Sequence, residues 1–427
     1  MKATWYEDTA GAAQHYPTLQ GDLEADVCVV GAGLAGLTTA LELQRRGRSV
    51  VLLEAGQVAD GASGRNGGFV TSGYALGSDA IAKRLGLAAS QALHRLSVEG
   101  VDYVRAQIAA LDPSIAMGEG VILALRYPDA DGLKRDAEGQ ARDYGEELQV
   151  WTPEETRAQL KSARYHQALF DPAGLHIYPL RYARALAAEA ARLGVEIREK
   201  SAALTLSIEG SHKRLRTQSG SLRAATVVLC TSSYGRGLWR PLDRAVLPVA
   251  TYIAVTEPLG ARVEEAIATE AAIADTRRAG DYYRRVAGDR ILWGGRITTR
   301  RTTPSRLAAR MLGDMTAVYP QLAGARMDYA WSGLMGYCLH KMPLIGEIAP
   351  GVWTATAFGG HGLNTTALAG CLLARAIAER DESWRRFSPY RASWGGGPFA
   401  RIGVQASYWW LQAQDRWDER ARYGAKR

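Results

Sequence analysis

Cysteine is scarce. The four in 427 residues, Cys28, Cys230, Cys338 and Cys371, lie far apart and form no CxxC pair. That spacing excludes a zinc ribbon or a thiol-redox motif, and no metal site is expected. Each sits among apolar or small neighbours, which reads as buried, reduced thiols in a cytoplasmic protein. Proline is also sparse, 15 residues, so the chain is neither collagen-like nor a Pro-rich linker. No stretch is apolar enough for a bilayer span: the long uncharged stretch 351–374 holds five Gly, four Thr, a His and an Asn. Residues 1–8 lack the apolar core of a secretory leader. The net charge is only +8, and +5 of it lies within 375–427, where 11 basic residues face 6 acidic ones. This reads as a solvated basic tail, and a nucleic-acid partner is not expected.

Glycine, by contrast, is abundant at 46 residues, which predicts special backbone sites. The length predicts two or three domains. Residues 26–30 are a β-branched run ending in Gly. Residues 34–46 carry Leu37, Leu41 and Leu43 at helical spacing and stop at Gly47, and 49–53 form a second apolar strand. Such a βαβ unit builds parallel sheets. The stretch 79–149 reads as charged and helical, interrupted at Pro113 and 118–120. Helices are predicted over 179–193, 304–319 and 365–380. Strand-like pieces at 249–256, 272–276, 282–286 and 291–294 suggest an antiparallel or mixed sheet. The expectation is an α/β protein with a discontinuous Rossmann-type domain over 22–78, 155–235 and 345–387. A second domain would span 79–154 and 236–344, and an aromatic, basic helical tail 388–427.

The strongest motif is Gly31-Ala32-Gly33-Leu34-Ala35-Gly36, a GxGxxG between strand and helix. Gly31 permits the turn, Gly33 lets backbone approach a pyrophosphate, and Gly36 lets helix and strand pack closely. The helix start then offers free N–H groups and a positive dipole end. Glu54 closes the second strand, where a carboxylate accepts from both ribose hydroxyls of an adenosine and repels a 2′-phosphate. Soon after comes Gly61-Ala62-Ser63-Gly64-Arg65-Asn66-Gly67-Gly68-Phe69, flexible backbone rich in donors, suited to follow a long cofactor towards a flat ring.

On these stretches, together with 16–19 leading into 26–36, 174–186, the strand ending at Cys230-Thr231-Ser232-Ser233-Tyr234, 331–346, and Phe358-Gly359-Gly360-His361-Gly362-Leu363-Asn364, the chain resembles the D-amino-acid-oxidase-type FAD-dependent amine oxidoreductases. It is most similar to their gamma-glutamylputrescine oxidase branch. The resemblance implies noncovalent FAD, since Cys338 is out of register with the flavin-linking Cys of sarcosine oxidases. It places Glu54, Ala55, Ser63, Arg65, Asn66, Gly67, Gly68, Phe69, Ala203, Thr231, Gly360, His361, Gly362 and Leu363 at the cofactor. The helix near Asn364 would aim its positive end at the flavin N1–C2=O region.

The activity implied is oxidation of a primary or secondary amine by hydride transfer to flavin N5. The imine would hydrolyse to aldehyde or oxo acid, and dioxygen would take the electrons to give hydrogen peroxide. A same-fold dehydrogenase feeding a quinone or carrier is the alternative, and a flavin-holding interaction protein without turnover is another. Roofing candidates are Tyr252, Tyr283, Trp293, Arg296 and Met335, each also readable as core or as a solvated charge. His340 is a candidate contact for substrate or flavin. His361 is placed as a cation beside the flavin or as a backbone-positioning residue. Relatives that bind amino acids often carry an Arg two residues beyond a Trp-x-Gly pair; here Trp331-Ser332-Gly333 leads to Leu334 and Met335. This favours an amine, or a carboxylate held elsewhere, for example by Arg296. The aromatic tail is expected to dock on its own protein or a second subunit, as monomer or homodimer, rather than on a membrane.

Overall fold

In the computed structural model, residues 4–277, 280–299 and 303–424 are described. One sheet runs, in spatial order, β16 (Leu344–Ala349), β17 (Val352–Thr356), β10 (Gly220–Leu229), β1 (Gly21–Val30), β2 (Val50–Leu53) and β7 (Glu196–Arg198), with β9 (His212–Arg216) and β8 (Thr205–Glu209) hanging from β10. From β17 to β7 every pair is parallel. Val27, Cys28, Val29 and Val30 are all buried. A central parallel strand is covered on both faces, so its residues are apolar continuously rather than alternately.

Helix α1 (Leu34–Arg45) leaves the end of β1, while α2 (Leu87–Leu111), α3 (Pro179–Arg192) and α5 (Gly362–Glu379) pack with it. Two glycines permit the close crossings. A Cβ on Gly370 would lie 2.6 Å from Thr38 of α1, and one on Gly100 of α2 would collide with the Asn364 carbonyl.

The second sheet runs β15 (Met327–Tyr337), β11 (Leu247–Thr256), β14 (Arg290–Thr298), β13 (Tyr282–Val286), β12 (Ala272–Asp275), β4 (Ala116–Ala124), β6 (Ala168–Ile177) and β3 (Phe69–Val70), with β5 (Gln149–Trp151) on β6. Its pairs are antiparallel except β12 with β4. Helix α4 (Leu307–Val318) covers one face through Leu307, Met311 and Met315; the other face borders the cleft. Helix α6 (Gly397–Gly424) follows the last turn.

Two expectations about organisation change. The stretch 79–149 is not helical throughout, because β4 runs through it as an interior strand, bulged against β6 near Gly118 and Gly120. The interruption read at 118–120 is a bulged strand, where a left-handed Gly120 lets the ladder skip a residue. Second, β6 joins the second sheet although it lies within 155–235. Conversely, α2, placed with the second domain, buries Leu93, Leu96, Val104 and Ile108 in the same cluster as Leu37 and Leu41 of α1.

Candidate active site

Between the two sheets lies a cavity of about 1050 Å³. At one end the chain turns from β1 into α1. Gly31 has φ +105°, and a Cβ there would stand 2.7 Å from the Cys230 carbonyl oxygen. Gly36 allows no side chain either, since a Cβ would collide with the Gly31 carbonyl. Gly33 is the N-cap of α1 and has no side chain to cap it. The Leu34 N–H donates to Ser63 Oγ at 3.0 Å, which ties the 61–68 loop to the helix start.

Glu54 Oε2 accepts from the Ala32 N–H at 2.7 Å and Oε1 from the Gly56 N–H at 2.8 Å. Burial pushes its carboxyl pKa up, and these two bonds oppose the rise. In the loop, Asn66 Nδ2 donates to the Ala62 and Ser63 carbonyls at 3.1 and 2.9 Å, and its Oδ1 accepts from the Gly68 N–H at 2.9 Å. Arg65 Nε donates to the Asp60 carbonyl and Nη2 reaches Glu7 at 3.1 Å. Behind the loop, the fully buried Arg284 donates Nε to Gly67 O at 2.7 Å and Nη2 to Ile177 O at 2.9 Å.

Across the cleft, His361 is the N-cap of α5. Its Nε2 stands 2.8 Å from Ser72 O and 3.0 Å from Thr71 Oγ1, so this nitrogen carries the proton. Burial holds the ring below its ordinary pKa. His361 thus ties the 71–72 backbone, one of the two roles expected for it, and burial disfavours the cation that is the other.

Of the expected cofactor residues, Gly31, Gly33, Leu34, Ala35, Glu54, Ala55, Ser63, Arg65, Asn66, Gly67, Gly68, Phe69, Ala203, Thr231, Gly360, His361, Gly362 and Leu363 line the cavity, as does Met335. Ala32 and Gly36 stand behind this lining. They act through the turn: one by its N–H to Glu54, the other by its missing Cβ.

The roof differs from expectation. Tyr283 and Trp293 point away from the cleft and stack at 4.2 Å in the core under α4; Tyr283 Oη meets Tyr165 and Tyr319 at 3.0 and 2.9 Å. Tyr252 belongs to the same core. Arg296 is engaged bidentately by Asp314 at 2.5 and 2.7 Å. His340 sits outside the cleft, with Nε2 3.3 Å from the Arg391 carbonyl.

The neighbour of Tyr283, Tyr282, lines the cavity instead, with its ring against Phe69 at 5.7 Å. It is paired in register with Gly294, where any Cβ would collide with the ring. The Gly294-Gly295 pair was the signal: it leaves room for a ring on the facing strand, and strand alternation then turns the next residue away. Thr251, Glu146 and Asp171 also line the cavity and were not singled out from sequence.

FAD fits this geometry: a helix start whose N-cap Gly33 has no side chain, glycines whose Cβ would fill the approach, and a part-buried carboxylate beside them suit a dinucleotide. Such a cradle facing a second-sheet roof defines a flavin-dependent oxidoreductase. The chain belongs to the FAD dependent oxidoreductase (DAO) family, whose model matches residues 26–376. It is 31% identical over 386 residues to a Haemophilus influenzae protein named a probable oxidoreductase, OrdL, covering 89% of each chain. It is 30% identical over 421 residues to the Escherichia coli gamma-glutamylputrescine oxidoreductase, covering 96% of this chain and 98% of that one. The glycine oxidase of Geobacillus kaustophilus shares the fold, with a TM-score of 0.71 at 21% identity over 87% of this chain and 99% of that one.

Proposed function

We propose that the protein oxidises a primary or secondary amine at its C–N bond, and that the substrate carries a cationic rather than a carboxylate recognition group. One observation carries the second half. The cavity lining also carries the cations Arg65 and Arg236, but the charged residues contributed by β6 and the turn before β5 are Glu146 and Asp171, both acidic. The Arg296 guanidinium, the alternative carboxylate clamp, is taken by Asp314. A carboxylate at this wall would be repelled, and an ammonium group attracted. Similarity to the gamma-glutamylputrescine oxidoreductase supports the amine reading.

Bound FAD supplies the acceptor for the hydride equivalent, held noncovalently by the turn, Glu54 and the 61–68 loop. The chain's own residues bind and orient. Tyr282, Phe69 and Met335 give the substrate an apolar wall that excludes water. Glu146 Oε1 accepts from Ser72 Oγ, whose own carbonyl accepts from His361, so the acid is anchored to the cleft floor. Asp171 Oδ1 accepts from the Ala173 N–H at 2.9 Å; burial raises its carboxyl pKa, and the neighbouring Glu146 adds to the rise. With dioxygen as acceptor the balance is amine, O2 and water giving aldehyde or oxo acid, ammonia or the smaller amine, and hydrogen peroxide.

Anaerobic mixing of the yellow holoenzyme with diamines, polyamines, N-alkyl amino acids and D-amino acids tests this by loss of the visible flavin band. Diamines should bleach it at the lowest concentrations. Glu146→Gln and Asp171→Asn should each raise KM for the best diamine about tenfold, with kcat changed less. Bleaching by amino acids alone sinks the cationic reading; bleaching by nothing favours a flavin-holding protein without turnover. A second reading, electrons passed to a quinone or carrier, is favoured by the exposed aromatic stripe of α6; turnover that ignores dioxygen and yields no peroxide would select it.

A further inference from the structure

The six most exposed large apolar side chains among the described residues all fall in one short segment: Trp394, Phe399, Ile402, Trp409, Trp410 and Trp417, each more than 60% exposed. At about 100° per residue, positions 399, 402, 409, 410 and 417 lie within an arc of about 100° along some 27 Å of α6. Ala406 and Ala413 fall in the same arc, and both are exposed.

This is not a loose tail. The opposite face of α6 is bonded to the body. Gln405 Oε1 accepts from Thr298 Oγ1 at 2.8 Å and from the Thr299 N–H at 3.2 Å, and Arg401 donates to Thr299 O at 3.0 Å. Glu419 pairs with Arg126 at 3.0 Å, and Asp415 is buried. Docking therefore turns the stripe outward, and it turns two of the segment's three acids inward. Arg416 stays exposed beside the stripe. Self-docking thus accounts for one face of the helix and leaves the aromatic one uncovered.

We propose that α6 is a membrane-surface helix whose aromatic stripe seats in the interfacial layer of an anionic phospholipid bilayer. Tryptophan favours that layer because its ring is apolar and its N–H polar. No helix among the described residues is long and apolar enough to cross a membrane, so the contact lies in the plane of the surface. Charge selects this occupant over a second copy. Residues 397–427 hold six basic and three acidic residues, a net +3, so pairing two copies through this helix brings like charges together, whereas anionic headgroups attract it. The inference stands independently of the substrate.

Flotation of the full-length holoprotein with vesicles tests it. Binding is expected to phosphatidylglycerol–phosphatidylcholine vesicles, weaker to phosphatidylcholine alone and weaker in high salt, with a blue shift in tryptophan emission. The triple variant Trp409→Ser, Trp410→Ser, Trp417→Ser should bind about tenfold or more weakly while keeping its flavin absorbance and melting midpoint. Phe399→Asp with Ile402→Asp, at the other end of the stripe, should do the same. No flotation at low salt, equal flotation of both variants, or equal binding to uncharged vesicles overturns the proposal. So does a stripe-dependent dimer in light scattering that ignores vesicles.

Discussion

Glu54 answers two demands at once. Its oxygens hold the N–H groups of Ala32 and Gly56, and so shape the turn that a dinucleotide must enter. Glu54→Arg should therefore leave two N–H groups without their acceptor and add a cation beside the adenosine, and the protein should purify colourless. A yellow variant would mean the cradle is not where FAD sits. His176 shows how a single buried ring couples to pH. Its Nδ1 accepts from Arg284 Nη1 at 2.9 Å and its Nε2 donates to Glu270 O at 2.7 Å, so it is neutral in the fold. Burial, then the Arg284 charge, lowers its pKa to about 3. Unfolded, a histidine protonates near about 6.5. Between those values the unfolded chain takes up a proton that the fold refuses. The stability this residue contributes is complete above about 6.5 and is lost as pH falls towards about 3. Urea unfolding across that window should show the decline, and His176→Gln should flatten it. A slope unchanged in the variant would assign the acid sensitivity elsewhere.

At the scale of elements, β13 is the hinge between roof and cofactor loop. Its alternation sends Tyr282 into the cleft and Tyr283 into the core, while Arg284 reaches back to Gly67, Ile177 and Tyr6. A buried cation held by carbonyls and a phenol is tolerated only while those bonds are made. Arg284→Met should cost about 3 kcal/mol in urea unfolding, because several buried acceptors lose their donor at once. It should also raise the dissociation constant for FAD, since the Gly67–Gly68 backbone loses its tie. Retained affinity alongside lost stability would separate the two roles. The βαβ unit was legible in sequence because its signals are local: a β-branched run, three glycines, leucines at helical spacing and an acid 23 residues after the first glycine. The roof was not. An alternating strand of two adjacent tyrosines reads equally well with either ring inward, and only Gly294 on the partner strand decides between them.

For the whole molecule, the cleft is shared between sheets whose strands interleave along the chain. The two halves therefore meet across the cofactor site rather than through one linker, and a ligand there binds the folded state alone. Adding FAD to about a hundredfold over its dissociation constant should raise unfolding free energy by roughly 3 kcal/mol and the melting midpoint by a few degrees. Thermal scans of apoprotein with and without FAD measure this, and no shift would mean that FAD does not bind the folded state selectively.

By itself the sequence determined the phosphate cradle, its acid, the α/β class and the family resemblance, because each depends on neighbours within a few turns of backbone. Tertiary structure alone decided which aromatic faces the cleft, that Arg296 is tied to Asp314, that His361 is bonded to the 71–72 backbone, and that the stripe of α6 faces outward. Those outcomes depend on burial and on partners distant in the chain, which no local pattern encodes.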